Sequence, residues 1–246
     1  MKLELGERER PVIVFTVAGR FDYLAATLTS WEKVRGIEDA TMIFLVEPSA
    51  TRSEVPLGCL VCADFCRQAL VSINRTQLGV AGNPWHAMQT GFRLADWVIL
   101  AEEDITPSTD ALEYLAWGRD EYRADPLVKA VCCGQLGPPL GGEDEVLRSK
   151  HFTPHIWGTW AETWRTFFRD TWGSSVYGWD CHVNDLLRAG PGQVVIPARS
   201  RSAHIGVEGT FCNAEIFPGT VSRSWQAEFG PQAYRQLARV QQREGE

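Results

Sequence analysis

The chain predicts an α/β fold, a mixed and mainly parallel sheet flanked by helices, Rossmann-like in its first half. Three observations carry this. The runs "PVIVFTVAG" (Pro11 to Gly19), "TMIFLVEPS" and "DWVILAEED" are continuously apolar rather than alternating, which is the pattern of strands buried on both faces. Between the first two, "FDYLAATLTSWEKV" repeats Leu24, Leu28, Trp31 and Val34 at helical spacing. Strand, helix and strand in that order form a parallel crossover, which is almost always right-handed. No G-x-G-x-x-G follows the first strand, so the dinucleotide fingerprint is absent.

The remaining elements follow in order. Cys62 to Ser72 is expected to be helical, with Val71 to Asn74 a short strand. In "GNPWHAMQTGFRLA", Asn83 is the expected N-cap and Pro84 the first helical residue. After the strand "DWVILAEED", Thr106, Pro107 and Ser108 restart a helix carrying Leu112, Leu115 and Trp117. "PLVKAVCCG" is a further strand, and "QLGPPLGGEDEV" a Gly/Pro-rich loop. Helices are expected over 161–169 and 180–188, a late strand in "GQVVIPARS", and a fraying helix in "YRQLARVQQREGE".

At 246 residues the chain suits one globular domain, 1–246, with a C-terminal helix or tail at 231–246. The opening "MKLELGERER" is charged and no apolar run approaches the length of a membrane span, so a cytoplasmic, membrane-free protein is expected. Seven cysteines fit reduced thiols better than a disulfide framework. Cys59, Cys62 and Cys66 have metal-like spacing, but no second C-x-x-C or nearby histidine completes a site, and buried thiols on one helix face are the simpler reading. A net charge of −7 argues against a polyanion partner for the molecule as a whole. Two local basic stretches, Arg148 to His155 and Arg199 to His204, are either solvated loops or anion contacts.

Glu102, Glu103 and Asp104 stand together at the carboxyl end of a buried strand, where open α/β sheets place their ligands. Like charges this close repel. A divalent cation with oxygen ligands would relieve that repulsion while gripping a diphosphate. An acidic turn with solvated side chains before a helix is the alternative.

The stretch "NPWHAMQTGFRLADWVILAEEDITPSTDALEYL" resembles the N-acetylglucosaminyltransferase I family, in which a helix leads to a strand ending in Glu-Asp-Asp and then a proline-containing turn. Similar in the same order are "RPVIVFTVAGR", "TPHIWGTWAETWRTFF", "GWDCHVNDLL" and "ARSRSAHIGVEGTFCNAEIF", so the resemblance spans most of Pro11 to Phe217. It implies the GT-A fold, with a nucleotide-sugar-binding half at 11–134 and an acceptor-binding half at 135–230. It also implies inverting glycosyl transfer from a nucleotide-diphosphate sugar, a UDP-sugar first, with Mn2+ or Mg2+. Carried over by position, Asp104 is the metal ligand, Arg20, Glu102 and Glu103 bind the donor, and Asp180 is the catalytic base. Other GT-A enzymes place a late histidine on the metal, a role His204 could take, or else it is structural. Trp157, Trp160 and Trp179 are either core or an acceptor platform.

Departures from the pattern are also clear. The family's base-contacting arginine falls at Gly82 or Asn83, an acid after the first strand is replaced near Ala18 and Gly19, and the second acid of the Trp-Asp-Asp-Trp element is Cys181. A glycan, a small molecule or a hydroxylated DNA base could each be the acceptor. A nucleotidyltransferase or a non-catalytic sugar-nucleotide binder are the competing readings.

Overall fold

The computed structural model describes residues 10–50, 54–173 and 178–236. Nine strands form one sheet in the order β11-β7-β9-β6-β8-β4-β1-β2-β3. Its parallel half comprises β1 (Val12–Val17), β2 (Thr41–Val46), β3 (Gln68–Ile73) and β4 (Trp97–Glu102), with β1 between β2 and β4. The other half contains β6 (Val128–Cys132), β7 (Glu145–Ser149), β9 (Gln193–Pro197) and the short β11 (Arg235–Gln236). Between the halves runs β8 (Trp157–Trp160), antiparallel to both β4 and β6. Two further strands, β5 (Ile105–Pro107) and β10 (Ser202–His204), pair antiparallel beside the sheet.

Layers on the two faces explain the continuous apolar runs. In β1, Ile13, Phe15 and Val17 face one core with α1 (Phe21–Trp31) and α4 (Ala111–Tyr122), while Val12 and Val14 face the other with α3 (Gly79–Gly91) and α6 (Trp179–Ala189). All of the strand but the half-buried Thr16 is therefore buried in one core or the other, at about 1.5–3 kcal/mol per fully buried large side chain. Phe15 illustrates the packing, stacked on Phe44 at 4.9 Å and edge-on to Trp31 at 5.6 Å.

Several boundaries differ from expectation. The helix near the cysteines lies earlier, as α2 (Glu54–Leu60) followed by a 3₁₀ turn, Val61–Asp64, and residues 68–73 form the edge strand instead. Helix α3 begins at Gly79, with Pro84 inside it. Its start is set by a distant partner, because Glu47 at the end of β2 accepts the N–H groups of Leu78 and Gly79. The side chain of Asn83 instead links Asn74 to the Leu45 carbonyl. Strand β8 replaces a segment expected only as a tryptophan-rich stretch, and α5 (Ala161–Thr163) runs on as a π-helical turn, Trp164–Phe168. Helix α7 (Phe217–Thr220) is a single turn. Arg235 and Gln236 are strand rather than helix, and residues 1–9 and 237–246 of the expected charged opening and fraying helix lie outside the described residues. No helix among the described residues is long and apolar enough to cross a membrane.

Candidate active site

Strand β4 ends at Glu102, and Glu103 and Asp104 form the tight turn into β5. The three acids meet three different environments, and this resolves their repulsion. Glu103 is buried and acts as a fastener: its carboxylate accepts the N–H groups of Ala18 (2.8 Å) and Gly19 (3.0 Å) and Arg20 Nε (2.6 Å). Thr27 of α1 donates to its carbonyl at 2.8 Å. With both oxygens engaged inside the β1–α1 turn, Glu103 shapes that turn and has no free oxygen to offer the expected donor. Arg20, half-buried, joins the acids by also pairing with Asp104 Oδ2 at 2.8 Å and donating to the Glu208 carbonyl at 2.8 Å.

Asp104 faces His204 across the β5–β10 ladder, where Ile105 pairs with His204 and the Ile205 N–H donates to the Asp104 carbonyl. The His204 Nε2 atom stands 3.2 Å from Asp104 Oδ2, and Nδ1 stands 2.8 Å from Thr220 Oγ1. Thr220 spends its single hydroxyl proton on the Phe217 carbonyl, so its oxygen accepts from His204 Nδ1–H. Nε2 is then aimed, with its lone pair or with a second proton, at a carboxylate oxygen. Two acceptors in contact call for a proton or a cation between them. Asp104 Oδ1 is moreover buried without any hydrogen-bond partner. Gly206 makes this crowding possible, because a Cβ there would stand 2.9 Å from Asp104 Cγ and closer still to Oδ2.

One carboxylate and one imidazole fit a divalent cation, manganese better than magnesium, provided that the remaining positions are filled by ligand oxygens and water. Among the described residues no group of three or more His, Cys, Asp or Glu side chains surrounds a common point.

Electrostatics separate the acids further. Burial works to raise the Asp104 carboxyl, yet a hydrogen bond from His204 and then the Arg20 guanidinium outweigh it and hold the group below the usual carboxylate value. Glu102 goes the other way, pushed up to about 8 by burial and then by Asp104 and Asp180. Asp180 sits in the first turn of α6, after Gly178 at φ 114°, a conformation that only glycine adopts without strain. Burial pushes its carboxyl up as well, against the pull of its own N–H and that of Cys181. His155 lies beside this group with its ring centre 5.4 Å from that of His204, and burial followed by the His204 charge brings it down to about 3.

The structure therefore gathers Arg20, Glu102, Glu103, Asp104 and His204 around the end of β4, with Asp180 close enough to act on Glu102. The tryptophans are a correction. Trp157 is fully buried among Phe152, Phe168 and Trp179, and Trp160 packs against Trp97 at the far end of β8, so neither presents a face to an acceptor. Trp179 is covered by Trp172, stacked at 4.5 Å. The basic stretches are likewise turned inward: Arg148 pairs with Asp125, Lys150 caps the α6 carbonyls of Leu187 and Gly190, and Arg201 is fully buried on Asp110. No basic face remains there to favour a DNA acceptor. Sequence reasoning missed Gly206, Thr220 and the place of His155, since each acts through a fold contact with no local pattern. The Cys59, Cys62 and Cys66 thiols are buried in the core, spread over α2, the 3₁₀ turn and the following loop rather than on one helix face.

The fold is a Rossmann-like mixed α/β sheet flanked by helices, shared with solved structures. Among solved structures, TarS 1–349 of S. aureus in complex with UDP aligns with a TM-score of 0.56 at 11% identity, covering 78% of this chain and 59% of that one. A second structure of TarS 1–349 aligns at 0.54 with 12% identity, over 78% of this chain and 59% of that one. The mannosyltransferase PcManGT from Pyrobaculum calidifontis, in complex with GDP-Man and Mn2+, aligns at 0.49 with 16% identity, covering 77% and 56%, too low a score to carry weight. The chain thus spans less than two thirds of the length of these neighbours. No family model matches the sequence, and no curated protein is significantly similar to it.

Proposed function

We propose that the protein is a metal-dependent, inverting glycosyltransferase that moves a hexosyl or N-acetylhexosaminyl group from a nucleotide-diphosphate sugar to a hydroxyl acceptor. The observation that carries this reading is the Asp104–His204 contact at the end of β4, two acceptors 3.2 Å apart beside an unpartnered buried carboxylate oxygen. A divalent cation held there would neutralise charge on the departing diphosphate. Arg20 adds a fixed positive charge on the same side, and Glu103 and Thr27 hold the turn that positions it. Asp180, at the start of α6, takes the acceptor's proton as its oxygen attacks the anomeric carbon, so no covalent intermediate is needed. Glu102, at the end of β4, faces the donor sugar's hydroxyls on this reading.

Residues 11–134 form the donor half on this reading and 135–230 the acceptor half. Kinship with the N-acetylglucosaminyltransferase I family remains part of the proposal, as does the glycan or small-molecule nature of the acceptor. A nucleotidyltransferase is less well supported, because "TVAGRFD", with one glycine and Arg20, is only a poor version of the glycine-rich signature with a catalytic lysine or arginine that such enzymes place near the first strand. The test is a thermal-shift screen of UDP- and GDP-sugars with Mn2+ and with EDTA. Stabilisation that needs both a sugar nucleotide and the cation is expected. Stabilisation by no sugar nucleotide, with or without Mn2+, overturns the reading.

A further inference from the structure

We infer that His155 supplies a third donor nitrogen to the cation site of Asp104 and His204, an inference that rests on the metal-dependent reading above. Neither the chain's motifs nor its resemblance assigns this histidine to a metal. Three observations converge on it.

The first is an unmet hydrogen bond. His155 Nδ1 is sealed from solvent with no partner, and so is Asp104 Oδ1. Each such atom costs about 1–3 kcal/mol, and native structures rarely leave two on neighbouring side chains. A shared partner satisfies both at once.

The second is the spacing of the rings. The His155 and His204 ring centres stand 5.4 Å apart with planes tilted by 35°. Two imidazoles whose nitrogens each lie about 2.1 Å from one ion have centres roughly 5–6 Å apart. Phe217 packs on His204 at 5.7 Å, so His204 is held between the two rings and cannot swing away from either.

The third is backbone strain next to it. Ile156 has φ 54°, the one positive value at a non-glycine among the described residues, and a β-branched side chain makes that conformation costly. Strain of this kind costs about 1–3 kcal/mol and persists where the surroundings enforce it. Here they do: Cys133 N–H donates to the Ile156 carbonyl at 2.8 Å, and Ser202 Oγ donates to the His155 carbonyl at 2.9 Å. The twist sends Ile156 and Trp157 into the core while His155 packs against His204. A buried isoleucine strained at the entry to a strand has a purpose if it delivers the residue before it. The three side chains do not surround one point in this structure, so the inference requires the His155 ring to turn toward the Asp104–His204 pair when the cation binds.

The experiment titrates MnCl2, alone and with UDP, into wild type, His155→Phe and His155→Leu, with free Mn2+ read by electron paramagnetic resonance. Phenylalanine keeps the ring and removes both nitrogens. We expect Mn2+ affinity to fall tenfold or more in His155→Phe, with the melting temperature of the EDTA-treated protein unchanged or higher. With Co2+ in place of Mn2+, the visible band of the wild-type complex should shift in the variant as a nitrogen is lost. Mn2+ affinity within threefold of wild type overturns the inference and leaves His155 a packing residue. A loss of affinity matched by a fall in melting temperature in EDTA does the same. If the phenylalanine variant does not fold, His155→Leu is read by the same criteria. Wild type that binds UDP but no Mn2+ overturns both this inference and the metal-dependent reading, whereas wild type that binds Mn2+ while the variant binds equally sinks only the former.

Discussion

Gly206→Ala is the sharpest probe of the site, because it adds one methyl group and touches no charge. The added carbon would stand 2.9 Å from Asp104 Cγ and 3.0 Å from Asp104 Cβ, closer still to Oδ2. Carbon atoms pack best at about 3.5–4.0 Å, so the carboxyl has to retreat by roughly 0.5–1 Å. The backbone cannot yield instead, since the Ile205 N–H is bonded to the Asp104 carbonyl at 2.9 Å. Both contacts of Asp104, to Arg20 at 2.8 Å and to His204 at 3.2 Å, run through the displaced oxygen. Lengthening the second by that amount removes it as a hydrogen bond and splits the proposed ligand pair. Overpacking of this kind costs about 1–3 kcal/mol of stability. The expected outcome is a folded protein, destabilised by that amount in urea, whose Mn2+ affinity by calorimetry falls at least tenfold. Gly230→Ala is the control, since nothing lies within 4 Å of a Cβ there. Gly206→Ala with wild-type Mn2+ affinity would refute the assignment of Asp104 and His204 as joint ligands.

Three further outcomes are expected. Asp180→Asn keeps the shape and helix-capping ability but cannot take a proton, so donor affinity should stay within a few fold while transfer falls about a hundredfold or more; transfer at the wild-type rate would move the base elsewhere. Arg201→Met should cost about 3–5 kcal/mol, because it strands the fully buried Asp110 with only the Ser108 and Tyr234 hydroxyls. The double variant Arg201→Met/Asp110→Leu should recover most of that in chemical denaturation, and failure to recover would mean that Arg201 matters for something besides the pair. Of the seven cysteines, Cys59, Cys62, Cys66, Cys132 and Cys133 are buried, with burial pushing the Cys59 and Cys132 thiols up to about 12. A thiol reagent at pH 8 should therefore modify at most Cys181 and Cys212 in the native protein, as counted by mass spectrometry, and more than two rapid modifications would contradict this packing.

The parallel half was legible because both of its faces are buried, so β1, β2 and β4 read as uninterrupted apolar runs. Their ends were legible too, and with them the placing of Glu102, Glu103 and Asp104. Elements governed by distant partners were not. The start of α3 depends on Glu47, which is more than thirty residues away in sequence, so Asn83 and Pro84 gave a false local start signal. Strand β8 is four residues long and carries two tryptophans and a glycine, a composition that any buried segment might show. In the site, acids and a histidine were found from their types, whereas what each acid does came only from its neighbours. Glu103 has both oxygens taken by the β1–α1 turn while Asp104 keeps one buried oxygen unpartnered, and adjacent acids cannot be told apart in this respect in a string. His155 was read with a basic loop, when burial in fact strips it of charge.

The position of β8 has a consequence for how substrates enter and leave. It is hydrogen-bonded along one edge to β4, from Trp97↔Trp160 to Leu100↔Trp157, and along the other to β6 at Val131↔Gly158 and Cys132↔Trp157. The seam between the two halves is thus a continuous backbone ladder, and swinging one half against the other would shear it. The segment after β10 is held over the site more lightly, by contacts such as Arg20 to the Glu208 carbonyl and Val207 N–H to the Tyr23 hydroxyl. Loop displacements of this kind fall in nanoseconds to microseconds, whereas domain hinges take microseconds to milliseconds. A ligand at the end of β4 would therefore be admitted with less disruption by moving that segment than by parting the two halves of the sheet.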